Sequence, residues 1–173
     1  MAGRHCGYPV AVEIEPQYSD EEWGLLVGLP QSVIVAASQA ESDSNRRTVA
    51  EWTAGMTAIA DGRDSASPLV QRVAAEVVAR LGDVEEGEDP PVIQFSDPES
   101  GIADVVERAS TVRRLLADKA AEADAQAYRF WVVTIAEQVV SAAKSGDVFG
   151  LGGDVVTEPE RQFRDNLAAA LDA

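Results

Sequence analysis

The sequence predicts an all-α fold: a single-domain bundle of six to seven helices. Apolar residues recur at helical spacing through most of the chain, and Ser/Thr-x-x-Glu boxes stand before several of these runs. Alternation typical of a strand is confined to residues 8–14 and 92–95. At 173 residues and 46% hydrophobic content, the chain can bury a stable core without disulfides or bound metals. We expect a tail over residues 1–18, containing the strand-like run, and a helical domain over residues 19–173.

The first helix is predicted to begin after Ser19. Ser19-Asp-Glu-Glu22 has the form of a capping box, in which each of the two side chains accepts a hydrogen bond from the other residue's backbone N–H. Tyr18 and Trp23 stand at the two positions of a hydrophobic staple around it. The following run is apolar on most sides, which is typical of a central helix. We expect Pro30 to kink or split it, because the ring clashes with the carbonyl four residues earlier.

The later helices are predicted from similar start and stop signals. Thr48-Val-Ala-Glu51 is predicted to open a helix that ends at Asp61-Gly62, and Thr157-Glu-Pro-Glu160 is predicted to open the last one. Ser67-Pro68 opens a helix that Gly82 ends. Two further apolar stripes at helical spacing predict one helix that begins at about residue 98 and another over about residues 123–145.

The chain is strongly acidic, with 14 Lys and Arg residues against 30 Asp and Glu residues and a net charge of −16. This balance argues against a surface that neutralises phosphates, so we expect no nucleic-acid partner. Residues 83–100 hold seven acids, three prolines and no base. We interpret residues 83–97 as a solvated acidic linker between two halves. The alternative is an acidic patch for a basic partner or for cations.

Several kinds of function are not supported by the sequence. The chain has one cysteine, Cys6, and one histidine, His5, so an internal disulfide framework and His-rich metal sites are excluded. The glycine-rich run at 150–153 follows a predicted helix and has no Lys-Ser/Thr after it, unlike a phosphate-binding loop. No nucleophile–base pair is recognisable. We expect a non-enzymatic, cytoplasmic protein without membrane insertion.

Two stretches share the same order of features. Each has an aromatic-led apolar helix, then an acidic turn (Glu41-Ser-Asp43 or Gly146-Asp147), then a T-x-x-E box opening a second helix. Two such helical hairpins can bury their apolar helices against each other about a pseudo-twofold axis. The second stretch departs from the first by inserting residues 148–156 between turn and box.

These stretches, residues 19–62 and 125–173, resemble the tellurite-resistance TerB-like family. The family is a bundle of duplicated helical hairpins, each marked by an acidic turn and then Ser/Thr-x-x-Glu. The matching positions are Asp43, Thr48 and Glu51 in the first half, and Asp147, Thr157 and Glu160 in the second. Ser44 stands where the family usually has glycine. The resemblance implies a helical, non-enzymatic protein linked to metal or chemical stress, whose acidic turns bind a cation.

Carboxylates near the two turns are the candidate ligands, since oxygen ligands suit Ca²⁺ or Mg²⁺. The candidates are Asp43, Glu51, Asp147, Asp154 and Glu160. The alternative is that Glu51 and Glu160 only cap helices, where a carboxylate meets the positive end of the helix dipole. A different class of function is an acidic protein–protein adaptor or antitoxin-like module without metal. Either function is compatible with a protein partner or a homo-oligomer.

Overall fold

Six α-helices make up the fold of this chain in a computed structural model that describes residues 17–40, 45–81, 94–142 and 157–172. No strand occurs in these ranges, which confirms the all-α prediction. The strand-like run at 8–14 lies outside them, whereas Gln94 and Phe95 are described and form no strand. The helices are α1 (Asp20–Gln39), α2 (Asn45–Asp61), α3 (Pro68–Leu81), α4 (Pro98–Lys119), α5 (Glu122–Ala142) and α6 (Glu158–Asp172), with a 3₁₀ turn at Gly62–Asp64.

The first helix begins as predicted. The N–H of Glu22 donates to the Ser19 hydroxyl at 3.2 Å, and the N–H of Ser19 donates to the Glu22 carboxylate at 2.7 Å. The rings of Tyr18 and Trp23 lie 6.2 Å apart in a tilted arrangement, which completes the hydrophobic staple. The Arg72 guanidinium of α3 lies over the Trp23 ring, 5.0 Å from its centroid. The start of α1 is therefore tied to a second helix.

Pro30 lies inside α1 and the helix continues through it, so of the two predicted outcomes the split does not occur and the kink stays a prediction. Proline has no N–H, which deprives the carbonyl of Leu26 of its helical partner. Tyr128 of α5 donates its hydroxyl to this carbonyl at 2.7 Å, and both residues are fully buried. Burial raises the pKa of Tyr128, which keeps the hydroxyl protonated as a donor. A hydrogen bond from a neighbouring helix therefore replaces the one that Pro30 removes.

Helices α1 and α5 run in the same direction and pack against each other. Near their N-termini, Tyr128 meets Leu26. Nearer their C-termini, Ile34 and Val139 lie together, because a Cβ atom added at Gly55 of α2 would be 2.6 Å from Ile34 and 2.9 Å from Val139. Residue numbers increase together in both pairs, so the two helices are parallel.

Helix α2 runs antiparallel to α5 and packs closely along it. Its Gly55 lies at the C-terminal half of α5, whereas Gly62, just past its end, lies at Trp131 in the N-terminal half. A Cβ atom on Gly62 would be 2.8 Å from the Trp131 indole, so glycine is required at this close approach. The indole Nε1 donates to the carbonyl of Ala58 at 3.0 Å. This hydrogen bond ties the N-terminal half of α5 to the last turn of α2.

Helix α4 runs antiparallel to α1. At one end, the backbone N–H of Phe95 donates to the Gln39 side chain at 3.0 Å. At the other, the Lys119 ammonium forms a 2.7 Å ion pair with Glu22. The start of α4 thus lies beside the end of α1.

Helix α6 also begins beside the end of α1. Pro159 and Phe163 of α6 line a shallow depression together with Gln39 and Ala40. One end of the bundle therefore contains the C-termini of α1 and α5 and the N-termini of α2, α4 and α6, and we call it the turn end. The hairpins α1–α2 and α5–α6 pack through their parallel first helices, but α2 packs mainly on α5 whereas α6 packs mainly on α4.

The core contains the apolar stripes that helical spacing predicts. In α4 and α6 its buried members are Val105, Ala109, Val112, Leu116, Phe163, Leu167 and Leu171. Within the described ranges, no helix has both the length and the apolar content that crossing a membrane requires.

Candidate functional site

The two acidic turns join helices at the same end of the bundle. Asp43 belongs to the segment between α1 and α2, and Asp147 and Asp154 belong to the segment between α5 and α6. All three aspartates lie outside the described residues. Because α1 and α5 are parallel, the described helix ends that flank both segments lie at the turn end.

Glu51 is buried, with 1% of its surface exposed. It lies one helical turn before Gly55, on the face of α2 that contacts α1 and α5. Helix α2 begins at Asn45, three residues before Thr48, so the prediction that Thr48-Val-Ala-Glu51 opens this helix is wrong. Ser44, directly before Asn45, is also a preferred N-cap residue type, so the sequence offers an earlier start. Glu51 is an internal residue of the helix rather than part of its cap.

Glu160 is also buried, with 2% of its surface exposed, and it does cap its helix. Its carboxylate accepts a hydrogen bond from the Thr157 N–H at 2.9 Å, which is one half of the predicted capping box. The Thr157 hydroxyl is buried and makes no hydrogen bond in the described part of the chain, so the other half is missing. The capping interpretation is therefore confirmed for Glu160.

No group of three or more His, Cys, Asp or Glu side chains in the described ranges is arranged to hold a metal ion. Of the five predicted ligands, the structure places Glu51 and Glu160, both toward the turn end. A cation site at this end would depend on oxygens of Asp43, Asp147 and Asp154. It stays a prediction.

The opposite end of the bundle is held by polar contacts around Asp124 of α5. The Ser67 hydroxyl, which also accepts from the N–H of Val70 at 3.3 Å, donates to the Asp124 carboxylate. Burial, together with the nearby charge of Asp124, raises the pKa of Tyr18. These contacts join the starts of α1, α3 and α5 and have a structural role.

A groove of about 490 Å³ lies between α2 and α5, and we call it the α2–α5 groove. Gly62 and the Trp131 indole are part of its floor. Asp61 lines it from α2, and Phe130 and Thr134 line it from α5. The lining combines small and aromatic apolar residues with the polar side chains of Thr57, Asp61, Thr134 and Gln138.

Phe130 is the one large hydrophobic residue with high exposure in the described part of the chain, at 74%. No motif in the sequence points to Phe130. The available signal was its position in α5: it is out of phase with the buried stripe that contains Tyr128, Val132 and Ile135. Its exposed ring belongs to the lining of the α2–α5 groove, next to Trp131, and therefore adds apolar surface to a concave site.

Comparisons with known proteins add no relative: no family model, no curated protein and no solved structure matches this chain.

Proposed function

We propose that this chain is a non-enzymatic binding protein of the TerB-like kind, which takes up a divalent cation such as Ca²⁺ or Mg²⁺ at the turn end. In this proposal it is a cytoplasmic protein that acts in the response to metal or chemical stress, as the resemblance implies. The observation that carries the proposal is the parallel packing of α1 and α5, because it brings the attachments of both acidic turns to one end of the bundle.

The chemistry of the two turns suits such an ion. Ca²⁺ and Mg²⁺ prefer carboxylate and carbonyl oxygens, and acids from two turns can supply more of them than one turn alone. Asp43, Asp147 and Asp154 are the proposed ligands. Glu51 and Glu160 have the role of buried anchors in the helices that follow each turn, and Glu160 fixes the start of α6 through the Thr157 N–H.

Thermal unfolding with and without excess Ca²⁺ or Mg²⁺ tests this proposal. A ligand at a hundred times its dissociation constant stabilises the folded chain by about 2.7 kcal/mol, which raises the Tm of a domain of this size by roughly 5–10 °C. We expect this shift for the unmodified chain and its loss in the variant Asp43→Asn/Asp147→Asn. A variant of the same charge, Asp104→Asn/Asp118→Asn, changes exposed positions of α4 and should keep the shift. An unchanged Tm in the unmodified chain contradicts cation binding.

A second candidate function is an acidic protein–protein adaptor or antitoxin-like module. The specific observation that favours it is the α2–α5 groove with its exposed Phe130. A net charge of −16 would steer a basic partner toward the chain and make the association sensitive to salt. Retention of a partner in a pull-down should fall between low and high salt. Retention that does not depend on ionic strength contradicts the acidic-surface mechanism.

A further inference from the structure

We infer that the α2–α5 groove binds an amphipathic helix of a partner protein, one with an apolar stripe flanked by Lys or Arg. This inference rests on the second candidate function and adds to it the surface and the chemistry of the partner.

The shape of the groove fits a helix. Its walls are two antiparallel helices, and the lining residues of each recur at spacings of three and four, so each wall is a straight stripe. From Ala127 to Gln138 the α5 wall is about 16 Å long, which matches roughly three turns of a bound helix. Alanines at 54, 58 and 127 and glycine at 62 leave space between the two walls of the groove.

The apolar content of the groove gives the contact its driving force. Phe130 stands 74% exposed at the wall, and the Trp131 ring lies at the floor beside it. A partner that covers Phe130 removes a large aromatic surface from water. Such an aromatic anchor at a groove is the typical centre of a helix-in-groove interface.

The charge around the groove selects a basic helix. Asp61 lines the groove, and none of its lining residues in the described part of the chain is Lys or Arg. Of the exposed charged residues that are next in sequence to a lining residue, Asp64 and Glu137 are acidic and Arg63 is basic. Lys or Arg beside the apolar stripe of a bound helix would meet these carboxylates. A second copy of the chain would instead bring two surfaces of net charge −16 together, which is unfavourable.

The test uses the full chain and synthetic peptides of about 18 residues, long enough for five helical turns. The first peptide contains only Leu and Lys in an amphipathic helical pattern. The second has the same composition in a scrambled order without an apolar face. Binding is measured by calorimetry at low and high salt, and the bound surface is mapped by NMR from the shifts of backbone amides.

We expect the amphipathic peptide to shift the amides of Thr57, Asp61, Phe130 and Thr134 and the indole N–H of Trp131. The scrambled peptide should bind at least tenfold more weakly. Losing the Phe130 contact should weaken binding by about tenfold to a hundredfold in Phe130→Ser, since burying such a side chain is worth about 1.5–3 kcal/mol. Because Phe130 is exposed, this variant should fold normally.

A matched pair of charge variants separates the groove from the overall charge. Asp61→Asn and Asp104→Asn remove the same charge, but Asp104 is exposed on α4 and does not line the groove. We expect roughly a twofold to fivefold loss of affinity for Asp61→Asn, as for a rim ion pair, and no loss for Asp104→Asn.

Three results would overturn the inference. If the peptide binds elsewhere and Phe130→Ser has no effect, the groove assignment fails while the adaptor function survives. If neither peptide binds at low salt, both fail. If the chain alone self-associates and Phe130→Ser abolishes this, the occupant is a second copy and not a basic partner helix.

Discussion

Replacing Tyr128 by phenylalanine should destabilise the fold through α1, although the substitution removes only one oxygen atom. The Tyr128 hydroxyl is the donor to the Leu26 carbonyl, which Pro30 leaves without a helical partner. Leu26 is fully buried, so water cannot replace the lost donor. A buried acceptor left unsatisfied costs about 1–3 kcal/mol, and this is the loss that we expect in the free energy of unfolding for Tyr128→Phe.

The proline supplies the internal check on this interpretation. In Pro30→Ala the new N–H can donate to the Leu26 carbonyl, so Tyr128→Phe should then cost under about 1 kcal/mol. The difference between the two backgrounds is the coupling energy of a double-mutant cycle, and we expect about 1–2 kcal/mol. Urea unfolding followed by circular dichroism measures it, because 2 kcal/mol moves the midpoint by about 1 M when the slope is about 2 kcal/mol/M.

Tyr18→Phe is the matched control for this experiment. Tyr18 is also buried, at 7% exposure, but its hydroxyl makes no hydrogen bond to any described residue. Its substitution should therefore change the free energy of unfolding by less than about 0.5 kcal/mol. If Tyr128→Phe costs the same with and without the Pro30→Ala substitution, the hydroxyl does not compensate for the proline and our reasoning is refuted.

Two other predictions concern the end of the bundle opposite the turn end. Gly62→Ala should lower the free energy of unfolding by about 1–3 kcal/mol, because the added methyl would meet the Trp131 indole at 2.8 Å. Gly24→Ala is the control: with open space around it, this substitution should raise the free energy of unfolding by about 0.5–1 kcal/mol. Equal effects of the two substitutions in thermal melts would contradict this prediction. The hydrogen bond from Lys119, followed by that from the Ser19 N–H, lowers the pKa of Glu22. The stability that Glu22 contributes to the fold is therefore fully present above the ordinary pKa of a Glu carboxyl, about 4.3. It is lost as the pH falls through the lower pKa of Glu22 in the folded chain. In Glu22→Gln the acid side of the Tm–pH curve should be flatter, and an unchanged curve would show that the pair has no effect.

The sequence was sufficient to predict most helices because their signals are local. The Ser19 box, the Tyr18–Trp23 staple and the proline at the start of α4 each act within a few residues. The start of α2 was predicted incorrectly because more than one cap-forming residue precedes Glu51. Local rules rank such alternatives poorly when tertiary packing decides between them.

Contacts between helices could not be predicted from the sequence, for a physical reason. The Tyr128–Leu26 bond joins residues 102 positions apart, and the Trp131–Ala58 bond joins residues 73 positions apart. The first satisfies the carbonyl that Pro30 leaves without a helical partner, but in both bonds the choice of partner depends on how the helices pack. For the candidate site, the repeated T-x-x-E pattern located two buried glutamates, while the α2–α5 groove required the packing of α2 on α5.

Calorimetric titration of the full chain with Ca²⁺ and with Mg²⁺ tests the proposed function most directly. If the two acidic turns share one ion, the stoichiometry is one per chain, and Asp43→Asn or Asp147→Asn alone weakens binding about as much as both together. No binding of either ion, or two independent sites that respond separately to the two substitutions, would contradict a shared site at the turn end.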